Sequence, residues 1–188
     1  MSLHQLDFFA PGPLVPGLRL VEAFLDLDAQ AQLAARIDGE ALAPFKFHQW
    51  EGKRLTASFG YAYDFSRGQV LEAPPMPEWL LPVRERAAAF AGVAPRDFVQ
   101  ALLIRYDPGA AIGWHRDRPQ FGKVAGISLG GPVAMRLRRR IGGGFERRSA
   151  PLAPGSIYLL DGEARRDWEH SIAPHSVIRR SITFRTLA

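Results

Sequence analysis

From Phe98 onward the chain is cut at short intervals by Asp107-Pro108-Gly109, Gly130-Gly131-Pro132, Gly142-Gly143-Gly144 and Pro154-Gly155. Such dipeptides and tripeptides mark turns, and the segments between them read as strands: 98–105, 112–115, 124–129, 133–138, 145–152, 156–160 and 180–186. Helices are expected earlier. One is capped by Asp26 or Asp28 and runs to about Ile37, with Gly39 as its stop; a second fits Pro77 to Ala91, ended by Gly92, with Pro82 blurring its start. Many short strands with helices concentrated before them give a mainly β, α+β domain, a sandwich or jelly roll backed by helices. With 188 residues the chain is expected to form a single domain, preceded by an arm over residues 1–16 that Phe8 and Phe9 tack onto it.

Within the strand-rich part stand Gly113-Trp114-His115-Arg116-Asp117 and, further on, Trp168-Glu169-His170-Ser171. Residues i and i+2 of an extended segment share a face, so His115 and Asp117 can grip one ion, and a distant strand can close the triangle with His170. Two imidazoles and one carboxylate are the ligand set of a mononuclear non-haem Fe(II) oxygenase, with three positions left open for a bidentate 2-oxo acid and dioxygen. Taken alone, a His-x-Asp pair is more often a solvated loop feature. The chain's end changes those odds. Residues 179–185, Arg-Arg-Ser-Ile-Thr-Phe-Arg, alternate strictly, which puts Arg179, Ser181, Thr183 and Arg185 on one face and Arg180, Ile182 and Phe184 on the other. Taken alone this reads as a surface strand; two same-face arginines with hydroxyls between them also suit a dicarboxylate, which guanidinium forks bind bidentately.

Leu103-Ile104-Arg105-Tyr106-Asp107-Pro108-Gly109, His115-Arg116-Asp117, Ile127-Ser128-Leu129-Gly130, Asp161-Gly162-Glu163-Ala164-Arg165 and the segment Arg179 to Arg185 occur in this order. Together they resemble the AlkB family of Fe(II)- and 2-oxoglutarate-dependent dioxygenases, best over residues 95–187. The resemblance implies a double-stranded β-helix core over 95–187 with His115, Asp117 and His170 at one open end holding Fe(II). It implies 2-oxoglutarate and dioxygen as cosubstrates, with Arg179 on the distal carboxylate, Arg185 nearer the metal-bound end, and Tyr106 and Ser181 completing the cosubstrate site. Ile104 stands where some members have an asparagine, and Ser181 replaces another. Arg118-Pro119 follows the metal pair where several DNA-repair members carry acidic residues.

Residues 45–65 mix aromatic and basic side chains, a composition that can stack on a base and hold phosphates. In the AlkB family this region is a nucleotide-recognition lid, which implies substrate-binding roles for Trp50, Lys53, Arg54, Tyr61 and Tyr63; an ordinary β-hairpin with a buried aromatic face fits equally well. A formal net charge of +5 favours phosphate-bearing partners. Its clustered part, Arg136-Leu137-Arg138-Arg139-Arg140 with Arg147-Arg148, is either an exposed hairpin tip or a phosphate-contact patch. His4, His48 and His175 are read as structural or solvent-facing, and Trp114 and Trp168 as walls of the barrel.

The chain lacks cysteine, which excludes thiolate ligands and nucleophiles. No apolar run of membrane-spanning length occurs, so a cytoplasmic monomer without a membrane partner is expected. The expected activity is oxidative demethylation of N-alkylated nucleobases in DNA or RNA. The rivals are a dioxygenase acting on a protein or small molecule, and a noncatalytic nucleic-acid-binding module.

Overall fold

A computed structural model of the chain describes residues 13–47, 50–64 and 68–188. Phe8, Phe9, His4 and His48, and most of the expected arm, lie outside the described residues, as do the side chains of Trp50 and Tyr63. The order of elements is β1 (Leu18–Val21), α1 (Leu27–Asp38), β2 (Ala43–Phe47), β3 (Trp50–Phe59), β4 (Tyr61–Asp64), β5 (Gln69–Glu72) and α2 (Leu81–Ala91), then β6 (Gln100–Tyr106), β7 (Ile112–His115), β8 (Phe121–Gly130), β9 (Val133–Ile141) and β10 (Gly144–Leu152), and finally β11 (Ile157–Leu160), α3 (Gly162–Arg166), β12 (Glu169–Ile172) and β13 (Arg179–Leu187).

Both long helices begin and end for local reasons. The Asp26 carboxylate accepts from the Ala29 amide at 2.8 Å and caps α1. The second helix begins at Leu81 rather than Pro77, after a 3-10 turn over Glu78–Leu80, so Pro82 falls in its first turn, where a missing amide hydrogen costs nothing. Gly92 ends it in the left-handed region, φ 66.

The strands form a seven-stranded sheet in the order β1-β11-β8-β13-β6-β3-β2 and a four-stranded sheet in the order β10-β9-β12-β7, every pairing antiparallel. This is the expected jelly-roll, double-stranded β-helix architecture. The alternation of β13 decides how it packs. Ile182 and Phe184, fully buried, join Ala101, Leu103, Ala125 and Ile127 against α1 and α2. A second cluster, with Val124 and Leu160 from the large sheet and Met135, Leu137 and Leu152 from the small one, fills the space between the sheets. Val15 is fully buried in that cluster, so the chain just before Gly17 packs on the domain. Among the described residues no helix is long and apolar enough to cross a membrane.

Candidate metal and cosubstrate site

Antiparallel register brings the ligands together. His170 on β12 lies directly across from His115 on β7, and their rings stand 4.2 Å apart, centroid to centroid. Asp117 follows just past the end of β7, and the ligand atoms of all three residues lie within 4.8 Å of one another. The Nδ1–H of His115 donates to the Gly113 carbonyl at 2.9 Å, which fixes the tautomer and leaves Nε2 as the free lone pair.

Electrostatics keep this set in the form a cation needs. Burial, the neighbouring His115 and the Arg185 and Arg165 charges push His170 down to about 3, against the pull of Asp117. Burial likewise lowers His115, again against Asp117. For Asp117 burial works the other way, but the charges of Arg185, His170, His115 and Arg165 outweigh it and hold the carboxyl well below the usual range. Asp117 Oδ2 and His170 Nε2 face each other at 3.6 Å, too far for a hydrogen bond. An ionised carboxylate and two neutral imidazoles converging on a common point are a donor set that a divalent ion satisfies.

The other carboxylate oxygen is already engaged. Arg185 Nε donates to Asp117 Oδ1 at 2.7 Å, with Nη2 2.6 Å from the same oxygen, while Nη1 donates to Gln100 Oε1 at 3.0 Å. Gln100, 3% exposed, in turn donates from Nε2 to the Tyr61 carbonyl at 2.9 Å. Arg185 thus holds the Asp117 carboxylate in place.

Along the same face of β13 the register sets Arg179 opposite Tyr106, Ser181 opposite Ile104 and Ser128, and Thr183 opposite Leu102 and Gly126. Arg179 is 1% exposed, its guanidinium 5.0 Å from the Tyr106 ring centre. Its Nε donates to Ser128 Oγ at 3.2 Å, and its Nη1 is buried without a partner among the described residues. An unpaired buried cation is costly, so this pocket calls for an anion. Ile104 and Tyr106 pack with Ala110 and Leu102 beside it, an apolar wall suited to methylenes rather than to a polar contact at Ile104. Arg180 points to the opposite side and pairs with Asp38 at the end of α1.

Two contributors had no role assigned from the sequence. Tyr158 on β11 sits across from Gly126, where a Cβ would fall 2.2 Å from Tyr158 Cζ. Burial pushes its phenol up to about 12, partly offset by the Arg179 charge. Arg165, mostly buried, donates to the Gly122, Arg118 and Phe121 carbonyls and so ties down the loop that follows Asp117. Three others had been read as structural. His175 Nδ1 is 2.7 Å from the Val177 carbonyl, and its ring lies 6.0 Å from that of Tyr106. Trp168 is buried in the inter-sheet core, as a wall residue should be. Trp114 is not a wall. It alternates with His115 along β7 and so faces outward, beneath Arg136 and Arg138.

In the region read as a lid, Lys53 and Arg54 take opposite faces of β3. Lys53 is exposed; Arg54 stacks 3.9 Å over Phe45, with Tyr106, Asp117 and Arg185 within electrostatic reach.

The family model of the 2OG-Fe(II) oxygenase superfamily matches residues 17–185. The chain belongs to this superfamily. Its Fe(II), 2-oxoglutarate and dioxygen chemistry fits the donor set above, with neutral imidazoles, an ionised carboxylate and a waiting buried guanidinium. Among curated proteins the chain is 26% identical over 200 residues to the alkylated DNA repair protein ALKBH8 homolog of Arabidopsis thaliana, covering 89% of this chain and 56% of that protein. It is 29% identical over 150 residues to the alpha-ketoglutarate-dependent dioxygenase alkB homolog 3 of Rattus norvegicus, covering 71% and 50%. The chain thus spans about half the length of these relatives. The structure of OsALKBH1 superposes with a TM-score of 0.70 at 15% identity, over 90% of this chain and 96% of that one. A Pseudomonas putida prolyl-4-hydroxylase superposes with 0.61 at 17% identity, over 92% and 93%, so the two structures share the oxygenase fold.

Proposed function

We propose that this oxygenase removes N-alkyl groups from nucleobases in DNA or RNA. His115, Asp117 and His170 would hold Fe(II), which when bound would supply dioxygen activation, one oxygen atom going to succinate as 2-oxoglutarate loses carbon dioxide and the other to a C–H bond of the alkyl group. The N-hydroxymethyl product of a methylated base then releases formaldehyde. In this reading Arg179 binds the distal carboxylate of 2-oxoglutarate, Tyr106 and Ser181 line its site, and Arg185 keeps Asp117 oriented.

The observation that carries the substrate reading is that the segment 45–65 borders the metal ligands. Arg54 of β3 reaches Tyr106, and the carbonyl of Tyr61 in β4 is tied through Gln100 and Arg185 to Asp117. A target held by this segment would therefore stand beside the ligand set. Two relatives named for alkylated-DNA repair and for the alkB homologue series support the same substrate class.

The test is a mass-spectrometric screen of N-methylated single-stranded DNA and RNA oligonucleotides with Fe(II) and 2-oxoglutarate, using Asp117→Ala as the inactive control. Loss of one methylene mass unit together with succinate release is expected. Succinate release with every oligonucleotide left unchanged would turn the reading toward a protein or small-molecule substrate. Single replacement of Trp50, Tyr61 and Tyr63 by Ala should identify the stacking partner, since base–aromatic stacking of roughly 1–3 kcal/mol is about 5- to 150-fold in affinity.

A further inference from the structure

The run Arg136 to Arg140 with Arg147-Arg148 does not act as one patch, because β9 and β10 alternate. Arg139 and Arg148 turn to one side, where Arg139 Nε donates to Glu146 at 2.7 Å and Nη1 to Glu163 at 2.7 Å, and Arg148 pairs with Glu146 at 2.6 Å. Their charges are matched by carboxylates. Arg136, Arg138, Arg140 and Arg147 turn to the other side, the outer face of the small sheet.

There the guanidinium groups are racked on two aromatic rings. Arg136 and Arg138 lie 5.1 and 4.4 Å from the centre of the Trp114 ring; Arg138, Arg140 and Arg147 lie 4.4, 5.1 and 5.6 Å from that of Phe145. Among the described residues only Arg138 of the four is ion-paired, to Glu169 at 2.6 Å. A guanidinium laid on an aromatic face keeps its in-plane N–H donors directed sideways, and the stacking fixes a side chain that would otherwise lose much rotamer freedom on binding. Those donors match phosphate oxygens bidentately.

The rack also connects toward Asp117, through the ion pair of Arg138 with Glu169. Trp114 is the neighbour of His115 in β7, and Glu169 that of His170 in β12. Arg116 and Glu169 further line a groove of about 1350 Å³ beside Asp117 that Arg118 and Arg166 also border. The basic face thus meets, at Glu169, the groove that reaches Asp117.

We infer that the outer face of the small sheet, with Arg136, Arg138, Arg140 and Arg147 stacked on Trp114 and Phe145, binds the sugar–phosphate backbone of the polynucleotide whose target base enters the metal site. This rests on the nucleobase reading above and adds a second contact surface, distinct from the lid. It contacts phosphates rather than bases, so it sets affinity and register without sequence preference.

The experiment compares wild type, the double variant Arg140→Gln/Arg147→Gln and the control Arg148→Gln, by fluorescence anisotropy with a single-stranded methylated oligonucleotide across a salt series. Each phosphate contact in a single strand contributes about 0.7 to the slope of log affinity against log salt, so the double variant should be shallower by about 1.4. At ~0.1 M salt, one decade below a ~1 M reference, that slope difference is about 25-fold in affinity. Arg148→Gln should keep the wild-type slope, and uncoupled 2-oxoglutarate turnover and thermal midpoint should be unchanged in both variants. If wild type binds and the double variant keeps its slope, or if Arg148→Gln loses as much, the surface is overturned while the nucleobase reading stands. If wild type binds neither DNA nor RNA, both fall. Retained oligonucleotide binding with loss of binding to phosphatidylserine vesicles would assign the face to a membrane instead and overturn it here.

Discussion

Strands β13 and β9 both carry arginines on alternate positions of one face, and these guanidinium groups have opposite surroundings. Arg179 and Arg185 point into the jelly roll, and each is committed to a single function there. Arg185 is fixed on Asp117 and Gln100, and Arg179 keeps one nitrogen unpaired in an enclosed pocket. Arg136, Arg138 and Arg140 point out of it and share aromatic supports. The comparison teaches that burial, not sequence pattern, decides what an arginine's charge is for. Inside, one guanidinium answers one partner, and its geometry matters. Outside, charges act additively and are screened by salt.

The largest effect should come from Arg179→Ala. A charge-assisted hydrogen bond of about 1.5–3 kcal/mol predicts a rise of about 10- to 150-fold in the 2-oxoglutarate concentration giving half-maximal succinate formation. A small change there would break the contrast at its deepest point. Next comes Arg185→Ala, which removes the guanidinium bonded to the buried Asp117 carboxylate and the largest charge lowering its pKa, so burial raises that pKa and protonation competes with the metal. Anaerobic Fe(II) titration should show affinity about 10- to 100-fold weaker, as for other residues that orient metal ligands. Lysine replacements sharpen the contrast further: Arg179→Lys should lose most of the cosubstrate affinity, because the fork is lost, whereas Arg140→Lys should keep oligonucleotide affinity and salt slope close to wild type.

Arg180 provides the smallest effect and an internal control on the same strand. It faces away from the pocket, so Arg180→Ala should leave the 2-oxoglutarate requirement unchanged; a large rise would mean that the β13 register is wrong. Its own role is on Asp38, whose carboxyl is held below the usual 3.8 by the Arg180 hydrogen bond, against burial, with Arg105 adding to it. A lowered folded-state pKa stabilises above the unfolded value and loses that contribution as pH falls through the folded one. Asp38→Asn should therefore melt below wild type at neutral pH and converge with it in acid. The pair is partly exposed, so the gap at neutral pH is at most about 1 kcal/mol, or about 2–4 °C for a chain of this size.

The inward set on β13 was legible because a two-residue period is written directly in Arg-x-Ser-x-Thr-x-Arg, and His115 with Asp117 for the same reason. Other parts of the site depend on pairings between strands that are distant in sequence. Gln100 looks like a polar residue at a strand's start; only the β6–β13 register places it opposite Arg185. Tyr158 sits in the apolar run Ile157–Leu160, and its place on the inner face follows from pairing with Gly126. The strand carrying His170 is four residues long, too short to announce itself by period, and is recognised by pairing with β7 and β9. The arginine run between 136 and 148 was visible as charge, but its division into a paired side and an aromatic-racked side needed the hairpin register and the positions of Glu146 and Glu163.

Gln100 reaches the lid through the main-chain carbonyl of Tyr61 and not through its phenol. A link made to the backbone is indifferent to which side chain stands at that position, so residues of the lid can be exchanged while the connection from it to the Asp117 carboxylate persists. The recognition surface proposed above and the Asp117 carboxylate are in this way joined at a point that mutation of the surface's side chains does not disturb.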